Sequence, residues 1–269
     1  MPRGATVGHL RALRMEWTKL RTVPGTAWSL LALAGFTLAV GCFALWTLDA
    51  GRCAPACDVD TAKLSLTGVY LGQVAVVALA VTAVTSEYET LMVRTTLAVS
   101  PRRGRLLAAK AAVVGGVVLA VGLVTVLGAL LASRFLLPHA GFDAASGFAP
   151  LSLADPVTRR AFLGTALYFG LVALLSVGVG AAVRHTAGAV VTVLGLLFLA
   201  PILGQYVTDP QWREWLSKAA PMTAGLSIQA TRHLDDLFIA PWPGLGVLAA
   251  YAAGALAVGA AVLLLRDAG

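Results

Sequence analysis

The residues able to do chemistry are concentrated in one charged segment, 86–110. It reads SEYETLMVRTTLAVSPRRGRLLAAK, with two carboxylates, Glu87 and Glu89, ahead of a basic stretch. The basic members of the segment are Arg94, Arg102, Arg103, Arg105 and Lys110. Charges at this density can pair with the complementary surface of a partner protein. The alternative is a solvated basic loop without a partner, as is common on the inner side of membrane proteins.

No familiar catalytic or nucleotide-binding motif accompanies this segment. The chain contains no G-x-x-x-x-G-K-[ST], no H-E-x-x-H and no G-x-S-x-G. Its four histidines are scattered among the predicted connections, which favours polar loop residues over metal ligands. The sequence therefore predicts a chain that is not itself an enzyme and that holds no metal or cofactor.

The elements that position the segment are apolar helices. The chain has 269 residues, of which 58% are hydrophobic and 12% charged, against about 25% charged in soluble domains. The apolar residues lie in runs of roughly 20, the length that crosses the hydrocarbon core as a helix. We predict an all-α integral membrane protein with one domain, 1–269. The six predicted spans are 27–48, 64–85, 111–132, 161–183, 187–207 and 244–265.

Residues 6–22 predict an amphipathic helix at the membrane interface. Leu10, Leu13, Trp17 and Leu20 fall on one face, and Glu16 and Lys19 lie away from it. Such a helix lies in the headgroup region, where basic side chains meet anionic lipids. The alternative is a helix packed on a soluble partner.

The distribution of basic residues predicts the orientation. Twelve of the 20 Lys and Arg residues fall on the side of the termini and segment 86–110, and eight on the other side. By the positive-inside rule both termini are cytoplasmic in a plasma membrane. The +7 net charge is explained by this bias, and no nucleic-acid-binding motif accompanies it.

Three features of the predicted outer connections stand out. Cys53 and Cys57 lie four residues apart on the oxidising side, where they form either a small disulfide or two free thiols. Asp155-Pro156 is typical of a helix N-cap followed by proline in the first turn. Segment 208–243 predicts short helices that lie on or dip into the outer leaflet.

The middles of the spans carry no Asp, Glu, Lys, Arg or His. Ionisable groups inside the bilayer typically mark ion or proton pathways, so any transport would draw its energy from outside the spans. The polar residues Thr67, Tyr70, Gln73 and Gln205 either line a path or form hydrogen bonds between helices.

Three stretches give the chain a resemblance to ABC-2 type transporter permeases of the six-span bacterial kind. The first is Glu16-Trp17-Thr18-Lys19-Leu20-Arg21, which resembles the E-x-x-K opening of that family. The second is the cytoplasmic coupling segment, 86–110, which includes Ser100-Pro101-Arg102-Arg103 and Ala109-Lys110. The third is Pro241-Trp242-Pro243-Gly244-Leu245 before the last span. Leu91 departs from the family, which often has glycine near that position.

The resemblance implies a type V exporter-like bundle that pairs as a homodimer or with a sister permease. It also implies two copies of a cytoplasmic ABC ATPase, which would bind the ATP and Mg²⁺ that this chain does not. The positions expected to couple ATP hydrolysis to the spans are Glu16, Lys19, Glu87, Glu89, Arg94, Pro101, Arg102, Arg103 and Arg105. The implied function is export of an unidentified hydrophobic or amphiphilic substrate.

Two other classes of protein fit the same residues. One is a membrane scaffold or assembly subunit without transport. The other is an ATP-independent carrier or membrane enzyme, which a buried catalytic or ion-binding group would favour.

Overall fold

The computed structural model describes residues 3–48, 58–89, 103–142, 148 and 150–265, and within these the side chains of 3–12, 89, 103 and 105 are not described. Helices account for nearly all regular structure in this part of the chain, and it contains no strand. The helices are α1 (Arg3–Thr22), α2 (Pro24–Trp46), α3 (Thr61–Ser65), α4 (Val69–Glu89), α5 (Arg103–His139), α6 (Pro156–Val183), α7 (Thr186–Gly204), α8 (Pro210–Ala219), α9 (Pro221–Leu226) and α10 (Pro241–Leu265).

Six of these helices, α2, α4, α5, α6, α7 and α10, are long and apolar enough to cross a membrane. They overlap the six predicted spans, although the second span begins at Val69 and residues 64–65 belong to the separate helix α3. The chain is therefore an all-α, multi-pass integral membrane protein. The longest, α5, has 37 residues and by its rise is about 55 Å long. Since this exceeds the roughly 30 Å of hydrocarbon, α5 extends beyond the membrane or tilts within it.

The core of the bundle is formed by α4 and α6. In their most apolar stretches 61% and 67% of residues are buried, compared with 17% in α7 and 22% in α2 and α10. Helix α6 packs against α5, α10 and α4, and α4 packs against α2. The outer helices leave large apolar side chains exposed, such as Trp28 and Val191, as expected where lipid is the solvent.

Close helix contacts in this bundle depend on glycine, because small residues let helix backbones approach each other closely. Gly178 of α6 faces the backbone of α10, where an added Cβ would lie 2.4 Å from the carbonyl carbon of Ala255. On α10, a Cβ at Gly259 would lie 2.7 Å from the carbonyl oxygen of Gly178. The two helices therefore meet almost backbone to backbone.

Both predicted boundaries of α6 are confirmed. The Asp155 side chain accepts a hydrogen bond from the backbone N–H of Thr158, and Pro156 occupies the first turn. At the other end Arg184 adopts a left-handed conformation with φ 61°, and His185 caps α7. This two-residue turn makes α6 and α7 a tight hairpin, as the gap of three residues between the predicted spans 161–183 and 187–207 indicates.

Segment 208–243 enters the bundle. Helix α8 is exposed on the surface, whereas α9 and the following 3₁₀ turn, Ser227–Gln229, are almost wholly buried. Two glycines leave the space that this segment occupies. A Cβ at Gly164 of α6 would overlap Ile228, and a Cβ at Gly244 of α10 would overlap the carbonyl oxygen of Ala224. The predicted short helices are therefore present as the surface helix α8 and the buried helix α9 with its following turn, and their place in the outer leaflet stays a prediction.

Candidate functional site: a buried charge cluster

Four charged side chains meet where α1, α4 and α5 come together. We call Glu16, Lys19, Glu87 and Lys110 the charge cluster. Glu16 and Lys19 are one helical turn apart and share a face of α1. Glu87 lies in the last turn of α4, and Lys110 lies two turns into α5. The cluster therefore joins helices that flank residues 90–102, the undescribed middle of segment 86–110.

Lys110 is the centre of the cluster. Its ammonium group donates to Glu16 Oε2 at 2.8 Å, to Glu87 Oε1 at 3.0 Å and to the carbonyl oxygen of Ala83 at 2.9 Å. These bonds engage all three of its protons. Because the residue is only 5% exposed, full satisfaction is needed to offset the cost of removing the charge from water.

Lys19 closes the cluster from the α1 side. It donates to Glu87 Oε1 at 2.8 Å and lies 3.5 Å from Glu16 Oε1. Partial burial opposes its charged form, but the hydrogen bond to Glu87 and the negative charge of Glu16 outweigh burial and raise the pKa of Lys19. Lys19 therefore stays protonated at neutral pH, and the two carboxylates face two positive charges.

The orientation of α1 explains how its two faces are used. Glu16 is 2% exposed and points towards α4 and α5, while Trp17, on the apolar face, is 51% exposed. The polar face of α1, predicted to lie away from the lipid, thus packs against the spans of the same chain. The Glu87 carboxylate lies within the chain, where it pairs with Lys19 and Lys110, and the role of Glu87 in coupling to a partner stays a prediction.

The other predicted coupling residues have no described side chains. Arg94, Pro101 and Arg102 lie outside the described residues, and for Glu89, Arg103 and Arg105 only the backbone is described. Cys53 and Cys57 also lie outside the described residues, so their disulfide stays a prediction.

The predicted path-lining residues separate into different environments. Gln73 is fully buried, accepts a 2.5 Å hydrogen bond from the Tyr168 hydroxyl and lies 3.4 Å from the sulfur of Met222. Gln73 therefore joins α4, α6 and α9, which favours hydrogen bonding between helices over lining a transport path. Thr67 and Tyr70 instead line a cavity of about 360 Å³ at the start of α4, and Gln205 is exposed at the end of α7.

Two residues of structural importance were absent from the predicted set. Lys110 had a signal, because a lysine inside the apolar run AAKAAVV needs a partner when that run is a helix. Asp60 had none. Its carboxylate accepts from the backbone N–H groups of Lys63, Thr231 and Arg232 and from the Thr231 hydroxyl. These bonds fasten α3 to the segment after α9 at the opposite end of the bundle.

Within the described residues, no group of three or more His, Cys, Asp or Glu side chains is placed to hold a metal ion. No family model matches the chain, and no curated protein matches it.

Proposed function

We propose that the chain is the transmembrane permease subunit of an ABC-2 exporter, driven by ATP hydrolysis in a separate cytoplasmic subunit. The observation that carries the proposal is the charge cluster. It fastens the interfacial helix α1 to the ends of α4 and α5 on either side of residues 90–102, the part of the chain that resembles the coupling segment of this family.

The cluster could transmit a movement from the partner to the helices of the bundle. A partner that displaces residues 90–102 would pull on the ends of α4 and α5 together, because Lys110 bonds to both Glu87 and Glu16. Helix α4 belongs to the bundle core, so its displacement would be transmitted to α2 and α6. Charged contacts to the partner would come from Arg102 to Arg105, and the cluster would keep the receiving helices in register.

In this proposal the chain lies in a bacterial plasma membrane with both termini cytoplasmic. It pairs with a second copy or a sister permease and binds two ATPase subunits, which hold the ATP and Mg²⁺. The substrate is hydrophobic or amphiphilic and travels along the interface between the two permeases.

The test combines association and transport. The chain is co-expressed with a candidate ABC ATPase, preferably one encoded beside it, and ATPase pull-down and ATP-dependent efflux are measured. The double variant Arg102→Glu/Arg103→Glu should lose at least tenfold in ATPase association. The matched control is Arg213→Glu/Lys218→Glu, which reverses two basic residues on the exposed helix α8.

A second variant separates binding from coupling. Lys110→Met removes the centre of the cluster and leaves residues 90–102 unchanged. It should retain the ATPase but lose substrate-stimulated hydrolysis. ATPase binding without efflux would favour the scaffold class, efflux without an ATPase would favour the carrier class, and unchanged association of the double variant would refute the coupling role.

A further inference from the structure

A groove of about 590 Å³ lies beside the charge cluster, between α1, the start of α2 and the last turns of α4. We call it the interfacial groove. Its volume falls within the roughly 300–1,000 Å³ typical of sites for small ligands. The proposed function makes no use of this space.

The groove is polar at one end and apolar at the other. Lys19 and Glu87 line the charged end, and Ala83, Leu79 and Ala78 continue along α4. From Glu87 to Ala78 the rise of the helix gives about 13 Å. This is close to the roughly 15 Å thickness of one hydrocarbon leaflet, so the groove has the length and polarity gradient of an amphiphile.

The charged end offers an ammonium group to a ligand. The Lys19 side chain is 39% exposed, whereas those of Glu16, Glu87 and Lys110 are 3%, 11% and 6% exposed. Among the described residues Lys19 donates to Glu87 and Glu16, which leaves one of its three N–H groups for an acceptor in the groove.

The start of α2 adds to the positive potential at this end. Gly25 and Thr26 line the groove, and this helix begins without a side-chain cap. Pro24 has no N–H and the Thr26 N–H donates to the carbonyl oxygen of Val23, so the helix contributes here through its dipole, whose N-terminal end favours a negative charge. Glu16 and Glu87 also line this end, and Lys110 and Lys19 balance their charges.

We propose that the interfacial groove binds an anionic membrane phospholipid, with its phosphate against Lys19 and one acyl chain along Ala83, Leu79 and Ala78. The ligand class follows from the exposed ammonium at the end of an apolar channel. The source is the bilayer, because the groove lies between an interfacial helix and two spans. This proposal does not depend on the partner ATPase.

The experiment uses the purified full chain in detergent, with native mass spectrometry to count retained phosphatidylglycerol and phosphatidylcholine. The wild type should retain phosphatidylglycerol at least fivefold more than phosphatidylcholine. Lys19→Gln should abolish this preference, since it removes the exposed charge while Lys110 still pairs with both carboxylates. Lys218→Gln, at an exposed lysine of α8, should leave the preference unchanged.

A second variant tests the apolar end with the charge cluster intact. Thr82 lines the groove and is exposed, so Thr82→Phe should fill it and lower retention of both lipids at least fivefold without unfolding the chain. Equal retention of phosphatidylglycerol by the wild type, Lys19→Gln and Thr82→Phe would overturn the proposal. Displacement of phosphatidylglycerol by millimolar inorganic phosphate would also overturn it, in favour of a soluble anion.

Discussion

At the scale of single residues, the charge cluster shows how a lysine becomes tolerable inside an apolar bundle. Lys110 is only 5% exposed, yet each of its protons has an oxygen acceptor. Two of these acceptors are carboxylates on other helices. Removing one member of such a group leaves uncompensated charge, which costs more than the group contributes when complete.

Lys110→Met should therefore lower the free energy of unfolding by about 3–5 kcal/mol. Glu16 and Glu87 would remain buried with only the half-exposed Lys19 between them. Lys218→Met is the control, since that lysine forms an exposed pair with Glu214 worth at most about 0.5 kcal/mol. Thermal unfolding in detergent measures the loss of stability in both variants. Equal losses in Lys110→Met and Lys218→Met would contradict a stabilising cluster.

A second prediction at this scale concerns pH at the opposite end of the bundle. Asp58 Oδ2 lies 2.6 Å from His233 Nε2, with Arg232 and Asp236 nearby. This hydrogen bond lowers the pKa of Asp58 and raises the pKa of His233. The contribution of His233 is complete below its ordinary value of 6.5 and is lost as the pH rises through its raised pKa.

The contribution of Asp58 is present above its ordinary value of 3.8 and is lost as the pH falls through its lowered pKa. The contact is therefore strongest in mildly acidic solution. In Asp58→Asn the pKa of His233 should fall back towards 6.5, as followed by NMR of the imidazole. An unchanged pKa in the variant would show that Asp58 does not hold this histidine.

At the scale of elements, the close approach of α6 and α10 sets the position of the last span. Gly178 has backbone atoms of α10 within 2.7 Å of its virtual Cβ, and backbone cannot yield as a flexible side chain can. Gly254, on α10 itself, has open space at the same position. The two glycines form a matched pair for mutation.

Gly178→Ala should destabilise the protein by about 1–3 kcal/mol, because the added methyl group forces the two helices apart. Gly254→Ala should be neutral or stabilising by up to about 1 kcal/mol, since alanine is the better helix former. Thermal unfolding of both variants in the same detergent makes the comparison. Loss of stability in Gly254→Ala alone would contradict this packing.

At the scale of the whole molecule, the helices give the bundle two distinct ends. One end carries the charge cluster, and the other carries Asp60, the segment after α9 and the surface helix α8. Twelve basic residues on the first side against eight on the second predict which end is cytoplasmic.

Cysteine labelling in intact cells tests this orientation. In a background with Cys42, Cys53 and Cys57 changed to serine, an impermeant thiol reagent should label Asp235→Cys and leave Ser100→Cys unreacted until the cells are opened. Asp235 is exposed at the end opposite the cluster. The reverse pattern of labelling would invert the topology and place residues 90–102 outside.

The sequence by itself determined the fold class, the six spans and the ends of α6. Each of these depends on local information: the length of an apolar run, the presence of Asp155 before Pro156, and the short break at Arg184. A helix of about 20 apolar residues satisfies its own backbone hydrogen bonds in lipid, so its existence does not depend on distant neighbours.

Only the tertiary structure decided which polar groups meet. Lys110 lies 94 residues from Glu16, and Gln73 lies 95 residues from Tyr168. A helical wheel places Glu16 away from the lipid-facing side, but it cannot say whether water, a partner or another span of the chain lies there. The same holds for the inserted turn at Ser227–Gln229, whose burial depends on gaps left by Gly164 and Gly244. Pairing between distant residues follows from the packing of whole helices, and that packing is a property of the assembled bundle.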